Sequence, residues 1–311
     1  MTKMAFVFPG QGAQYPGMGK ELATRYRGSR SVFEQVDHEL GFPLSELCFN
    51  GPEADLKLTE NTQPAILTMS IAAWQALTDE GVQPDFVAGH SLGEYSALVA
   101  SGALPLVEAV QLVRGRGRYM QEAVPVGQGA MAAILGMPPE RVDAVCREAA
   151  QGMVVSPANL NTLEQTVIAG HIEAVQRAGA LAKVRGAKRV LTLPVSAPFH
   201  CALMQPARER LALDLEAAVF ADLSVPLITN VDADVIMTAE QARDALCRQV
   251  TSPVRWLESV QRMAELGVST FVEVGPGKAL TGMIRRILPE AIVFNVEDEK
   301  SLMAFMAICH V

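Results

Sequence analysis

Nowhere in the 311 residues do the roughly twenty uninterrupted apolar positions of a membrane span occur, although half the chain is hydrophobic, so a soluble protein is expected. Cysteine is scarce. The five present (Cys48, Cys146, Cys201, Cys247 and Cys309) are odd in number, scattered and free of any C-x-x-C pair. That pattern argues against a disulfide framework or a zinc site and fits a reducing cytoplasm. A broad basic field is missing too: the net charge of −8 disfavours general nucleic-acid binding, which needs phosphates neutralised. The amino terminus, Met1 to Phe8, is cut short by Pro9-Gly10, leaving too short an apolar run and no small-residue cleavage site for a secretion signal; it reads as a first strand. No low-complexity linker or internal repeat appears.

What the chain does have is a serine in a particular setting. Phe86-Val87-Ala88-Gly89-His90-Ser91-Leu92-Gly93-Glu94 reads as a short strand, a tight Gly-flanked turn and a helix. This is the pattern of a nucleophile elbow, in which the flanking positions must lack side chains and the serine hydroxyl stands exposed at the strand's carboxyl end. The helix that follows offers unpaired N–H groups and a positive dipole end to an oxyanion.

Around the elbow the sequence predicts a large α/β domain carrying a smaller one. Residues 18–84 read as largely helical with breaks at Gly41-Phe42-Pro43, Gly51-Pro52 and Gln63-Pro64, and 64–78, apolar all round, as a buried helix. The loop Pro9 to Gly17 is Gly-rich but fits neither a Walker loop nor a dinucleotide fingerprint; it could present N–H groups to an anion or be a plain turn. A helix from near Pro105 places Arg116 in the apolar stripe of Ala109, Leu112, Val113 and Met120, with Arg114 and Arg118 on the opposite face. An arginine there needs an anion: either an internal acid or a substrate carboxylate gripped by the guanidinium fork.

Residues 127–195 read as βαββαβ, with strands over 130–135, 153–158, 165–169 and 189–193 and helices over 139–150 and 172–183, the order of a ferredoxin-like unit. This predicts an inserted domain at 127–195 within a large domain formed by 1–126 and 196–311. Of the five histidines, His38, His90, His171 and His310 occupy unremarkable places, whereas His200, in Pro198-Phe199-His200, sits where the chain re-enters the large domain. Between Ser91 and His200 the only aspartate is Asp143, on an exposed helix face. A Ser-His-Asp triad is therefore poorly supported, and a neutral amide or carbonyl is expected to orient the base. The remainder reads as a strand over 223–229, a helix over 239–250, a helix from Ser252-Pro253, a strand over 270–274, a helix to Ile287 and a strand over 291–295.

Gly10-Gln11-Gly12-Ala13-Gln14, Gly89-His90-Ser91-Leu92-Gly93-Glu94, Arg116-Gly117-Arg118-Tyr119-Met120-Gln121, Pro198-Phe199-His200, Gln249-x-x-Ser252-Pro253-Val254-Arg255-Trp256 and Glu273-Val274-Gly275-Pro276-Gly277 occur in that order. With them the chain resembles, over essentially its full length, the malonyl-CoA:acyl-carrier-protein transacylases. The free-standing bacterial fatty-acid form is the nearest match, and polyketide-synthase acyltransferase domains share the pattern.

The resemblance implies an α/β-hydrolase-like large domain with a parallel sheet, and it implies roles. Ser91 would be the nucleophile, His200 the base and Gln249 the residue whose carbonyl orients it. Gln11 and Leu92 would supply oxyanion N–H groups. Arg116 would clamp the malonyl carboxylate, Phe199 would favour malonyl over methylmalonyl, and Asn159 and Gln165 would lie near the cleft wall. Cys201 departs from the serine common there. No metal or redox cofactor is implied; malonyl-CoA is the substrate, acyl carrier protein the partner, and the enzyme a monomer. Lys183, Arg185, Lys188 and Arg189 are a candidate patch for an acidic carrier or simply a solvated charge run. A serine thioesterase, a scaffold subunit, a polyketide acyltransferase and a malonate decarboxylase component are the competing readings.

Overall fold

In the computed structural model, which describes residues 3–195 and 197–309, the strands form two sheets. The larger contains β1 (Lys3–Phe8), β2 (Phe86–Gly89), β7 (Leu227–Ile228), β8 (Val235–Ile236), β9 (Val268–Val274) and β10 (Ile292–Val296), in the order β10-β9-β1-β2-β7-β8. All pairings are parallel except β7 with β8. Its strands carry apolar side chains on both faces, as a parallel sheet covered on both sides must. Phe6, Phe8 and Val87 join the core under the helix Thr59–Asp79, while Ala5, Val7, Phe86 and Ala88 pack with Trp256, Val260 and Ile284 on the other side.

The smaller sheet holds β3 (Gly129–Leu135), β4 (Val155–Thr162), β5 (Gln165–His171) and β6 (Arg189–Thr192), antiparallel and ordered β4-β5-β3-β6. Alternation along β3 explains its placement. Ala130, Ala132 and Ile134 pack on the helices Pro139–Ala150 and Ile172–Val184, whereas Met131 and Ala133 face the main core.

Several elements differ from the sequence reading. The break at Gln63-Pro64 is absent: Pro64 lies in the second turn of the helix Thr59–Asp79, where it forfeits one hydrogen bond in a helix that is otherwise largely buried. The strand over 223–229 shrinks to Leu227–Ile228, because Pro226 cannot donate to the ladder; β8 was not foreseen. β4 extends to Thr162, and a terminal helix, Glu299–Cys309, adds to the edge at β10. Met1 and Thr2 of the predicted first strand, Ser196 at the predicted domain boundary, and His310 lie outside the described residues. Among the described residues no helix is long and apolar enough to cross a membrane.

The sheet positions the elbow. Phe8 of β1 and Gly89 of β2 are register partners at the carboxyl ends of adjacent strands, the crevice where open α/β sheets bind ligands. The His90 N–H donates to the Phe8 carbonyl at 3.0 Å, tying the two ends together. A Cβ on Gly93 would fall inside the Phe8 carbonyl and one on Gly89 inside the Gly93 carbonyl, so backbone approaches backbone with no side chain able to yield. Gly93→Ala is therefore expected to cost at least about 2 kcal/mol, read as a lower urea midpoint at unchanged slope; an unchanged midpoint would show that the turn can relax.

Candidate active site

The elbow holds Ser91 at φ 53°, in the left-handed region that a residue with a Cβ occupies only when its surroundings impose it. Asn230 imposes it here. Its side-chain oxygen accepts from the Ser91 N–H at 2.7 Å and its amide donates to the Gly89 carbonyl at 2.6 Å. His200, after the rigid Pro198, is likewise left-handed at φ 61° and is buried. The two strained residues meet, with Ser91 Oγ 2.7 Å from His200 Nε2.

The other imidazole nitrogen, Nδ1, lies 2.9 Å from the main-chain carbonyl of Gln249. A carbonyl only accepts, so Nδ1 carries the proton and Nε2 presents its lone pair to the serine hydroxyl. Burial, aided by the Arg116 guanidinium, pushes the His200 pKa down to about 3, so the ring is neutral at rest. Among the described residues no acid hydrogen-bonds to it: Asp143 instead pairs with Arg147 on an exposed helix face.

Arg116 is inside, as its helical phase predicts, in the helix Leu106–Glu122 and only 1% exposed. Among the described residues no carboxylate lies within ion-pair distance of it. Its Nη1 donates to Gln63 Oε1 at 2.8 Å, and Nη2 donates to Gln249 Oε1 at 2.8 Å and Ser91 Oγ at 3.1 Å. Its Nε is buried with no acceptor, and the Tyr95 ring lies 5.6 Å away. A cation held by neutral oxygens, with a donor to spare, is suited to receiving an anion.

Ser91, His200, Arg116, Gln11, Phe199 and Asn159 line one cavity of about 110 Å³, with Gln63, His90, Met120, Met131, Leu193 and Val195. The smaller sheet thus supplies a wall through Met131 and Asn159. The Gly-rich loop after β1 supplies Gln11, pressed so close that a Cβ on Gly10 would clash with the His90 carbonyl. No hydrogen bond within the described residues occupies the main-chain N–H of Gln11 or Leu92. Gln165 is not among the lining residues; it opens β5, paired with Leu135 and Thr162. Cys201 keeps a donor where a serine hydroxyl would be one, its thiol donating to the Pro198 carbonyl at 3.1 Å. In the candidate basic patch, Arg185 and Lys188 pair with Glu148 and Glu164, leaving Lys183 and Arg189 the exposed cations without ion pairs.

Residues the sequence reading passed over complete the site. Gln63 and Asn230 carry no motif signal in a single sequence. Asn161 Oδ1 accepts from His90 Nε2 at 2.9 Å beside the nucleophile; its place two residues after Asn159 on one strand was the available clue. Glu94, in the elbow motif itself, is buried, and desolvation pushes its carboxyl up to about 7.

The sequence matches the family model described as acyl transferase domain over residues 5–303. It is 48% identical over 305 residues to the malonyl CoA-acyl carrier protein transacylase of Escherichia coli strain K12, covering 98% of both chains. To the Bacillus subtilis strain 168 protein of the same name it is 47% identical, covering 97% of this chain and 96% of that one. The crystal structure of an acyl carrier protein S-malonyltransferase from Vibrio cholerae superposes with a TM-score of 0.96 at 48% identity, covering 98% of this chain and all of that one. A malonyl-transacylase solved in complex with a type II PKS acyl-carrier protein does so with a TM-score of 0.96 at 46% identity, covering 99% of this chain and all of that one.

The buried neutral base has a consequence for stability. Below the ordinary histidine value of 6.5 the unfolded chain takes up a proton that folded His200 refuses until about pH 3. The contribution is thus full above 6.5 and is lost as pH falls, at up to about 1.4 kcal/mol per unit. Relative to His200→Gln, the wild-type protein is expected to lose stability between about pH 6.5 and 5 in urea titrations; a constant difference would mean that His200 is protonated in the fold.

Proposed function

The chain belongs to the acyl transferase family, and from that premise we propose that it moves a malonyl group from coenzyme A to the phosphopantetheine thiol of an acyl carrier protein through an ester on Ser91. His200 takes the Ser91 proton as Oγ attacks the thioester carbonyl, and the oxyanion rests on the N–H groups of Leu92 and Gln11. As the tetrahedral adduct collapses, the C–S bond breaks and the proton passes from His200 Nε2 to the departing coenzyme A sulfur. The carrier thiol then gives His200 its proton, attacks the ester, and Ser91 leaves with that proton restored.

The observation that carries this reading is Arg116: a buried guanidinium at hydrogen-bond distance from the nucleophile, held by amides and not by an acid. It is placed to hold the malonyl carboxylate while the carbonyl sits on Ser91. Phe199, with the cavity's other apolar walls, fills the space an α-methyl branch would need. Asn159 lies on the cleft wall; Gln165 has only the family pattern behind it.

We read the molecule as a hydrolase-like large domain, 1–126 and 196–311, with a ferredoxin-like insert at 127–195, supported by the order β4-β5-β3-β6. On this reading the enzyme works as a monomer in the cytoplasm, without metal or redox cofactor. Fatty-acid synthesis is the setting in keeping with the resemblance to the free-standing bacterial transacylases; the likeness to a transacylase bound to a type II PKS carrier makes polyketide assembly the second.

Incubated with malonyl-CoA, the protein is expected to gain a malonyl adduct by intact mass that carrier protein removes, that buffer alone leaves largely in place, and that Ser91→Ala abolishes. Rapid loss in buffer would favour a hydrolase. Arg116→Ala should lower malonyl transfer by about a hundredfold or more while sparing acetyl transfer; equal losses would return Arg116 to a structural role. Phe199→Ser should raise kcat/KM for methylmalonyl-CoA about tenfold relative to malonyl-CoA, and an unchanged ratio would remove Phe199 from selectivity.

A further inference from the structure

Glu94 is a buried carboxylate that the transfer steps above do not use. It follows the nucleophile by three residues, in the first turn of the helix Gly93–Ala100. One of its oxygens, Oε2, accepts from Gln249 Nε2 at 2.8 Å and from the Asn230 N–H at 3.1 Å. The Asn230 main-chain N–H can only donate, so Oε2 serves as an acceptor and the nitrogen end of the Gln249 amide must face it. The oxygen end is thereby turned to Arg116, which it meets at 2.8 Å. The same two partners reach the rest of the site. Gln249 Nε2 also donates to the Ser91 carbonyl at 3.0 Å, and the Gln249 main chain orients His200. Asn230 clasps the elbow on both sides of His90.

We propose that Glu94 is a positioning residue: by holding Gln249 and Asn230 through a single carboxylate oxygen, it fixes which way the Gln249 amide points, and so sets the Arg116 guanidinium for an acyl carboxylate. The second half rests on the malonyl-transfer reading. With the amide reversed, Gln249 would aim N–H groups at a guanidinium that has only N–H groups of its own. Arg116 would then lose an acceptor and swing from its place beside Ser91, and a malonyl carboxylate would suffer where an uncharged acetyl group would not. Burial makes the carboxylate costly to keep, and an apolar side chain of its size would relieve that cost. A role confined to packing would be filled as well by methionine.

The test compares Glu94→Gln, which can keep an oxygen at the Oε2 position while losing the charge, with Glu94→Met, which fills the space without an acceptor. Active sites are counted by stoichiometric fluorophosphonate labelling of Ser91, so that a reduced folded fraction cancels. Per active site, E94M is expected to lower the malonyl-to-acetyl ratio of kcat/KM about tenfold or more and to slow the labelling itself, whereas E94Q should hold both within about threefold of wild type. An unchanged ratio and labelling rate in E94M, or an E94Q as impaired as E94M, would overturn the proposal. If E94M does not fold, E94Q alone decides, because a tenfold fall in its ratio also overturns it. The labelling rate does not depend on the acyl group, so absence of a malonyl adduct on the wild-type protein would count against the transfer reading without touching the link from Glu94 to Ser91.

Discussion

A buried guanidinium whose hydrogen-bond acceptors among the described residues are all neutral oxygens is the constraint around which the site is arranged. Desolvation of a charge is expensive unless its hydrogen bonds are met. Arg116 meets three of them on Gln63, Gln249 and Ser91, which come from three separate stretches of chain. Each of those residues therefore has to be delivered by its own element to one point. The helix Thr59–Asp79 tolerates Pro64 in its second turn and still brings Gln63 inward; the carboxyl end of the helix Ala239–Gln249 brings Gln249; the elbow brings Ser91. An acidic partner would have met the desolvation cost more cheaply, but it would have taken up the N–H that the guanidinium keeps free.

Orientation of His200 by a main-chain carbonyl follows the same economy. A carbonyl fixes the tautomer through its lone pairs alone and adds no net charge beside a guanidinium already close by. The imidazole is left neutral and its Nε2 free to accept. Ser91 and His200, which share a hydrogen bond, both sit in left-handed backbone, a conformation costing roughly 1 to 2 kcal/mol each for a residue with a Cβ. The surrounding hydrogen bonds over-determine it, through Asn230 on one side and Gln249 on the other.

How much of this the sequence discloses depends on the range of the interaction. The elbow, the phase of Arg116 and the βαββαβ element order over 129–192 are local patterns, and the structure places these elements with shifts of a few residues. His200 was legible by position, at a junction, and Gln249 by the family pattern. Gln63, Asn230 and Asn161 were not, because an amide's part in a buried network is set by neighbours far away along the chain and leaves no spacing behind. Glu94 was legible as part of a motif but not as a buried charge, since nothing local announces that Gln249 and Asn230 will close over it. The edge at β7 and β8 failed for a different reason: two-residue strands are held by their neighbour's ladder and carry too little pattern of their own.

The pairing of Phe8 with Gly89 makes the distance between the Gly-rich loop and the elbow a matter of counting. Both leave adjacent strands at the same rung, so a change of register would shift one against the other by a whole residue and not by a fraction of one. A strand that slips moves by a whole residue, about 3.3 Å, and turns every side chain to the opposite face. The placing of Gln11 on the same cavity as Ser91 is in that sense digital: it holds while the register holds and is lost in one step when the register fails.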